Sequence, residues 1–221
     1  MLKIRVWDLP TRLFHWLLVA TVVALVVTGN LGGSWMTWHM RLGYAVFALL
    51  LFRLVWGFWG GRWSRFAQFV PTPTQLLAYL RSGKRIHSVG HNPLGALSVL
   101  ALLGVLFAQV GTGLFSDDEI AFTGPLTTLV SADTVSLASW YHADVGKLLL
   151  LGLVALHVLA IAYHRIFKKQ HLVRAMVTGD QEVQPPAPPV SHDGMRAWLL
   201  ALGVLVASAL VVYAVVGLGN G

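Results

Sequence analysis

YHADVGKLLLLGLVALHVLAIAYHR, residues 141–165, carries apolar side chains at most positions between two histidines, His142 and His157. One helical crossing of a bilayer core takes about 20 predominantly apolar residues, and residues 145–167 meet that length. Ligating or ionisable side chains are costly in hydrocarbon, so a histidine placed there is a functional residue by default. His157 stands 15 positions beyond His142. At 1.5 Å per residue that is roughly 22 Å along the helix, and a net rotation of roughly 60° leaves both rings on one broad face. One helix can therefore serve two sites at two depths.

Four more stretches have the length and apolarity of a crossing: residues 13–29, 42–60, 94–115 and 195–217. The whole chain of 221 residues is 56% apolar and 11% charged, with a mean hydropathy of +0.69. A soluble domain carries roughly 25% charge, so a soluble globule is excluded. The first stretch follows Lys3 and Arg5 as a signal peptide would, but no small-residue cleavage site comes after it and His15 lies inside it; it is read as a permanent helix. The chain has no cysteine, which excludes disulfides, thiolate metal sites and covalent haem attachment.

The net charge of +7 is a topology signal, with lipid and not nucleic acid as its partner. Lys3, Arg5 and Arg12, then Arg62, Arg65, Arg81, Lys84 and Arg85, then Arg165, Lys168, Lys169 and Arg174 all fall on one side if the helices alternate. The opposite side holds residues 116–141, with Asp117, Asp118, Glu119 and Asp133 and no Lys or Arg. This predicts a multi-pass membrane protein with its N-terminus on the inner, cytoplasmic side and, after five crossings, its C-terminus on the outer side. Residues 1–178 form an all-α, four-helix core with a turn at Gly32 and Gly33, an interfacial stretch over 74–80, and Pro93 in the first turn of helix three. Residues 179–194 hold Pro185, Pro186, Pro188 and Pro189 and read as a stiff extended linker. Residues 195–221 form an appended fifth transmembrane helix without His or acid, whose plainest role is an anchor.

His15 lies near the inner start of helix one, and His39 near the outer start of helix two. Depth matches His39 with His142 toward the outside and His15 with His157 toward the inside. Two imidazoles on facing helices can clamp a flat macrocycle through its iron, so the four histidines predict two non-covalent haems. Gly43 and Gly146 stand four residues after the outer ligands, on the same helix faces, where a missing side chain lets a ring approach the backbone. Arg12 and Arg53 are candidates for the inner haem's propionates and Arg41 for the outer's. Met36 and Met40 adjoin His39 and offer a His/Met alternative. His164, His91 and Asn92 are candidates for a quinone site, though an interfacial or loop role suits each as well. His87, His171 and His192 lie in polar segments, and the tryptophans at the span ends form an aromatic belt.

The stretches Val6-Trp7-Asp8 leading to Phe14-His15-Trp16, His39 to Tyr44 running to Arg53-Leu54-Val55-Trp56-Gly57, Gly90-His91-Asn92-Pro93-Leu94-Gly95, and His142 to Arg165 together resemble the bacterial membrane cytochrome b family. That family includes cytochrome b561 and the cytochrome b subunits of nickel-iron hydrogenases. The resemblance covers residues 6–179 and implies a four-helix core with two b haems, axial ligands at His15, His39, His142 and His157, and electron exchange with quinone and a partner redox protein. The two histidines of helix four are 15 apart where the family pattern leads to about 14, which leaves room for a local backbone adjustment. The fifth helix lies outside the pattern.

The sequence thus reads as a transmembrane dihaem b-type cytochrome that moves electrons between the quinone pool and a periplasmic or membrane redox protein, for which the acidic outer segment is a docking candidate. One alternative is a stand-alone superoxide:quinone oxidoreductase of the cytochrome b561 type. Another, from a different class, is a metal-ion or small-solute transporter. That reading needs further polar groups in the spans, which offer chiefly Gln109 and Asp144.

Overall fold

Helix α1 (Leu9–Leu31) begins at a buried carboxylate. Asp8 accepts the Thr11 N–H at 2.8 Å as N-cap, and Pro10 sits in the first turn, where a missing N–H costs nothing. The computed structural model describes residues 2–82 and 89–220; Lys84, Arg85 and His87 lie outside the described residues. Gly32 and Gly33 follow α1 with φ of 64° and 55°, a left-handed pair that turns the chain into α2 (Met36–Trp59). The short helices α3 (Phe66–Phe69) and α4 (Pro73–Ser82) follow, the second on the expected interfacial stretch. Asn92 caps α5 (Pro93–Leu114) by accepting the Gly95 N–H at 2.7 Å.

The fourth span starts earlier than its apolar run. It comprises α6 (Ala132–Trp140), a π-helical turn (Tyr141–Gly146) and α7 (Lys147–Ile166), capped at Ser131. The expected start at Val145 is corrected to Ala132. At 1.5 Å per residue the 35 residues of Ala132–Ile166 reach roughly 52 Å, well beyond a hydrocarbon core of about 30 Å. The first turns therefore project past the apolar layer and keep a more polar sequence. His142 consequently lies inside the helix, within the π-turn, where one extra residue re-aims the side chains. The π-turn overlaps the 15-residue stretch for which the sequence left room for a local backbone adjustment.

Helix α8 (Leu172–Thr178) and helix α9 (Met195–Gly217) complete an all-α bundle in which, among the described residues, five helices are long and apolar enough to cross a membrane. Helix α2 is central. Its Val46 and Leu50 pack with Leu106 of α5 and Leu150 of α7, while Leu49, Phe52 and Trp56 pack with Phe14 of α1 and Ala201 of α9. The fifth helix, appended in sequence, is thus seated directly on α2 and α1, with Ala201 and Ser208 buried in the way small residues pack between membrane helices. Large apolar side chains such as Val23, Leu148, Leu156 and Leu210 face outward, as a lipid-facing surface requires.

The proline-rich segment is not a free spacer. Strand β1 (Leu2–Arg5) pairs antiparallel with strand β2 (Asp180–Val183), Leu2 opposite Val183 and Arg5 opposite Asp180. Ser191 donates its N–H to Arg5 O at 2.8 Å and its hydroxyl to Val6 O at 2.7 Å, and Trp63 donates to Pro189 O at 3.0 Å. Asp193 pairs with Arg5 at 3.1 Å and Arg12 at 3.6 Å. Composition alone favours extension here, but these long-range bonds fix the segment across the N-terminal end of the bundle. At the opposite end Asp118 accepts the N–H groups of Phe122, Ala121 and Ile120, which hold its carboxyl below the usual carboxylate range. The C-terminal turn Leu218–Asn220 packs against Thr127–Leu129 at that acidic end.

Candidate functional site

Four helices wall a cavity of about 290 Å³ toward the acidic end of the bundle. His39 of α2 and His142 of the π-turn face each other across it, with ring centroids 6.0 Å apart and planes at 90°. Each ring is oriented from behind. His39 Nδ1–H donates to Leu25 O at 3.0 Å, and His142 Nδ1–H donates to Gln109 O at 2.8 Å. A carbonyl only accepts, so Nδ1 carries the proton in both rings and Nε2 is left as a neutral ligand atom. Two metal–imidazole bonds of about 2 Å plus the ring radii put the centroids of a bis-imidazole pair about 6 Å apart. The pair therefore has the spacing and protonation of axial haem ligands.

Room for those rings comes from glycines that sequence spacing did not single out. A Cβ at Gly29 of α1 would stand 3.0 Å from His39 Nδ1, and one at Gly113 of α5 would stand 2.9 Å from His142 Cε1. Gly43 lines the cavity, and a Cβ there would meet nothing within 4 Å. Gly146 is different, because a Cβ there would run into the Gln109 side-chain oxygen and the Tyr141 ring. Arg41 is exposed over the Trp38 ring at 5.3 Å. Lys147 lines the cavity beside His142 and escaped the sequence reading, since it looks like one cation at the start of an apolar run.

The second group lies toward the N-terminal end. His15 of α1 and His157 of α7 are within electrostatic reach of each other, and His91 is within reach of both and of Arg53. The His91 ring packs against Trp7 and Phe69, each at 4.8 Å between centroids, and burial pushes its imidazole down to about 3, so it is neutral in the physiological range. Arg53 is 4% exposed; it donates to Ser64 O at 3.0 Å and stacks over Phe66 at 4.8 Å. Arg12 donates to Val177 O at 2.7 Å. Buried and without a partner here are Arg12 Nε, Arg53 Nη1, His15 Nδ1 and His91 Nδ1. Buried polar atoms normally have partners, so the open guanidinium donors of Arg12 and Arg53 fit a site made for an anionic group, as haem propionates are, while His91 Nδ1 is a separate open polar atom beside them.

The other candidates have local partners. Asn92 serves as the cap of α5, and His164 bonds Gln170 Oε1 at 2.7 Å through Nδ1. His171 lies 3.4 Å from Arg165. Asp8, present in the sequence reading only as part of a stretch, joins Thr11, Trp56 and Gly61.

A helical bundle in which oriented imidazoles face each other across a cavity has the architecture of a membrane cytochrome. The chain belongs to the prokaryotic cytochrome b561 family, whose model matches residues 6–179. Among its relatives is a protein of Azotobacter chroococcum named Probable Ni/Fe-hydrogenase B-type cytochrome subunit, 24% identical, with the match covering 80% of this chain and 87% of the relative. A Probable Ni/Fe-hydrogenase 1 B-type cytochrome subunit of Escherichia coli is 25% identical over 79% of this chain and 88% of its own length. A third, from Cupriavidus necator, is 28% identical over 79% and 85%. No solved structure matches the chain. Family membership makes this a multi-pass bacterial membrane protein with haem b as cofactor and electron transfer as its chemistry.

Proposed function

We propose that the chain conducts electrons across the membrane through two haems b, between quinone and a redox protein partner. His15 and His157 hold the haem near the N-terminal end, and His39 and His142 hold the one near the acidic end. The observation that carries this reading is the His39–His142 pair, 6.0 Å apart with each Nδ1–H bonded to a backbone carbonyl. Haem supplies a one-electron couple when bound. The residues of the chain hold, orient and tune it: Arg12 and Arg53 neutralise the inner propionates, Arg41 and Lys147 the outer ones, and the apolar helices keep water from the rings. Gly43 leaves the outer haem space, and Gly29 and Gly113 leave space for its ligands.

Basic residues gather at the N-terminal end, which supports a cytoplasmic N-terminus and, with it, an acidic end that faces the periplasm. The relatives are named as hydrogenase subunits, so a metalloenzyme docking at the acidic segment is the partner this reading expects. Quinone meets the chain at the other end through His91, whose Nδ1 is buried without a partner beside His15 and His157, whereas Asn92 and His164 are engaged locally. Phenylalanine at His91 keeps the aromatic packing and removes the hydrogen bond. That variant is expected to retain both haem spectra while quinone reoxidises the reduced protein at least about tenfold more slowly; an unchanged rate would remove His91 from the quinone site.

The reading as a whole is tested by a reduced-minus-oxidised spectrum with pyridine haemochrome quantitation on the detergent-purified chain. Two low-spin b haems per polypeptide are expected. A protein that takes up none, or only one, is not this conduit.

A further inference from the structure

Gln109 makes two separate bonds to the same histidine. Its backbone carbonyl receives His142 Nδ1–H at 2.8 Å, and its side-chain Nε2–H donates to the His142 backbone carbonyl at 2.8 Å. The second bond falls at a backbone irregularity. His142 lies in the π-turn Tyr141–Gly146, and a turn of this kind disturbs the regular ladder so that local carbonyls need other partners. Between membrane helices an unsatisfied carbonyl is costly. The amide of Gln109 supplies the donor from the neighbouring helix. It thereby stabilises the backbone irregularity that aims His142, while its own backbone fixes the ring's tautomer.

Gly146 belongs to the same arrangement. A Cβ at that position would collide with Gln109 Oε1, the side-chain atom left buried without a partner. The glycine one turn after His142 therefore makes room for the Gln109 amide. Gly43, one turn after His39, instead faces open space along the cavity. Two glycines at equivalent places in sequence do different things in space.

We infer that Gln109, admitted by Gly146, is the positioning residue of the axial ligand His142. It clamps the π-turn and ring together and so determines the geometry of the outer haem's ligation. The inference rests on the proposed role of His142. Outer-shell partners of metal-bound histidines are worth about 10- to 100-fold in metal affinity, so the consequence is measurable without any assay of electron transfer.

The test compares the full-length wild-type chain with Gln109→Leu and Gly146→Ala, using haem retention on dilution and the low-temperature EPR g values of each haem. Gln109→Leu keeps the backbone acceptor and most of the bulk but removes the amide. The expected result is an altered g signature and about 10- to 100-fold weaker retention for the outer haem alone. Gly146→Ala is expected to change the same signal, because it displaces the same amide. An outer signal that stays as in the wild type in either variant overturns the inference, as does the loss of both haems together from Gln109→Leu, which would make the residue one of general packing. A wild-type chain that binds no outer haem fails at an earlier step, and that outcome refutes the ligand assignment itself.

Discussion

Alanine at His142 is expected to leave the purified protein with one haem per chain instead of two, and alanine at His39 is expected to remove that same haem. The expectation follows from geometry. The two rings face each other at 6.0 Å with both Nδ1 atoms bonded to backbone, so a macrocycle between them depends on both Nε2 atoms at once. With one ligand gone, the other is a lone imidazole in an apolar cavity, and a low-spin centre cannot form. The double variant His39→Ala/His142→Ala should lose nothing more, because groups that act as a unit are strongly non-additive. His15→Ala and His157→Ala should form a second such unit, losing the inner haem and keeping the outer. Pyridine haemochrome counts and redox titration of the five proteins read the pattern directly. A crossed pattern, in which His142 and His157 variants lose the same haem, would overturn the depth pairing, and loss of both haems from every single variant would show that the sites are not separable.

The four histidines proposed to carry this pattern stand out as candidates in the sequence because membrane physics isolates them. Ligands in hydrocarbon stand out against a run of Leu, Val and Ala, and helical rise converts sequence distance into depth. The spans at α1, α2, α5 and α9 were legible for the same reason. The start of the fourth helix was not, since Ala132–Trp140 mixes Asp133, Thr134, Ser136 and Ser139 among its apolar residues and breaks the continuous apolar run. Gly29, Gly113 and Gln109 were also out of reach. Each acts on a histidine of another helix, across separations such as the 33 residues between Gln109 and His142, and no local spacing rule reports such contacts. Spacing did single out Gly146, but spacing cannot show which neighbour a missing side chain accommodates. The docking of residues 179–194 escaped for a related reason: proline content describes the stiffness of a chain, and Ser191, Asp193 and strand β2 determine where it is held.

The largest loss of stability from a residue outside the ligand sets is expected at Asp8. Its side chain is fully buried, and it accepts three donors: Thr11 N–H at 2.8 Å, Gly61 N–H at 2.7 Å and Trp56 Nε1–H at 3.2 Å. It also stands within electrostatic reach of the buried Arg53 guanidinium. Asp8→Ala removes a helix cap, worth about 1 kcal/mol, and leaves buried donors on Gly61 and Trp56 without acceptors, at about 1–3 kcal/mol each. A total of roughly 3–7 kcal/mol corresponds to a fall in Tm of about 6–28 °C for a chain of this size. Asp8→Asn retains an acceptor oxygen for the cap and should fall in between. Thermal unfolding of the haem-loaded protein in detergent, followed by the Soret band, measures both. A change below about 2 °C in Asp8→Ala would mean that the three bonds contribute little. A large fall in which the inner haem leaves before the outer would bear out the specific arrangement, because Asp8 ties the start of α1 to the end of α2, the ends that carry His15, Arg12 and Arg53.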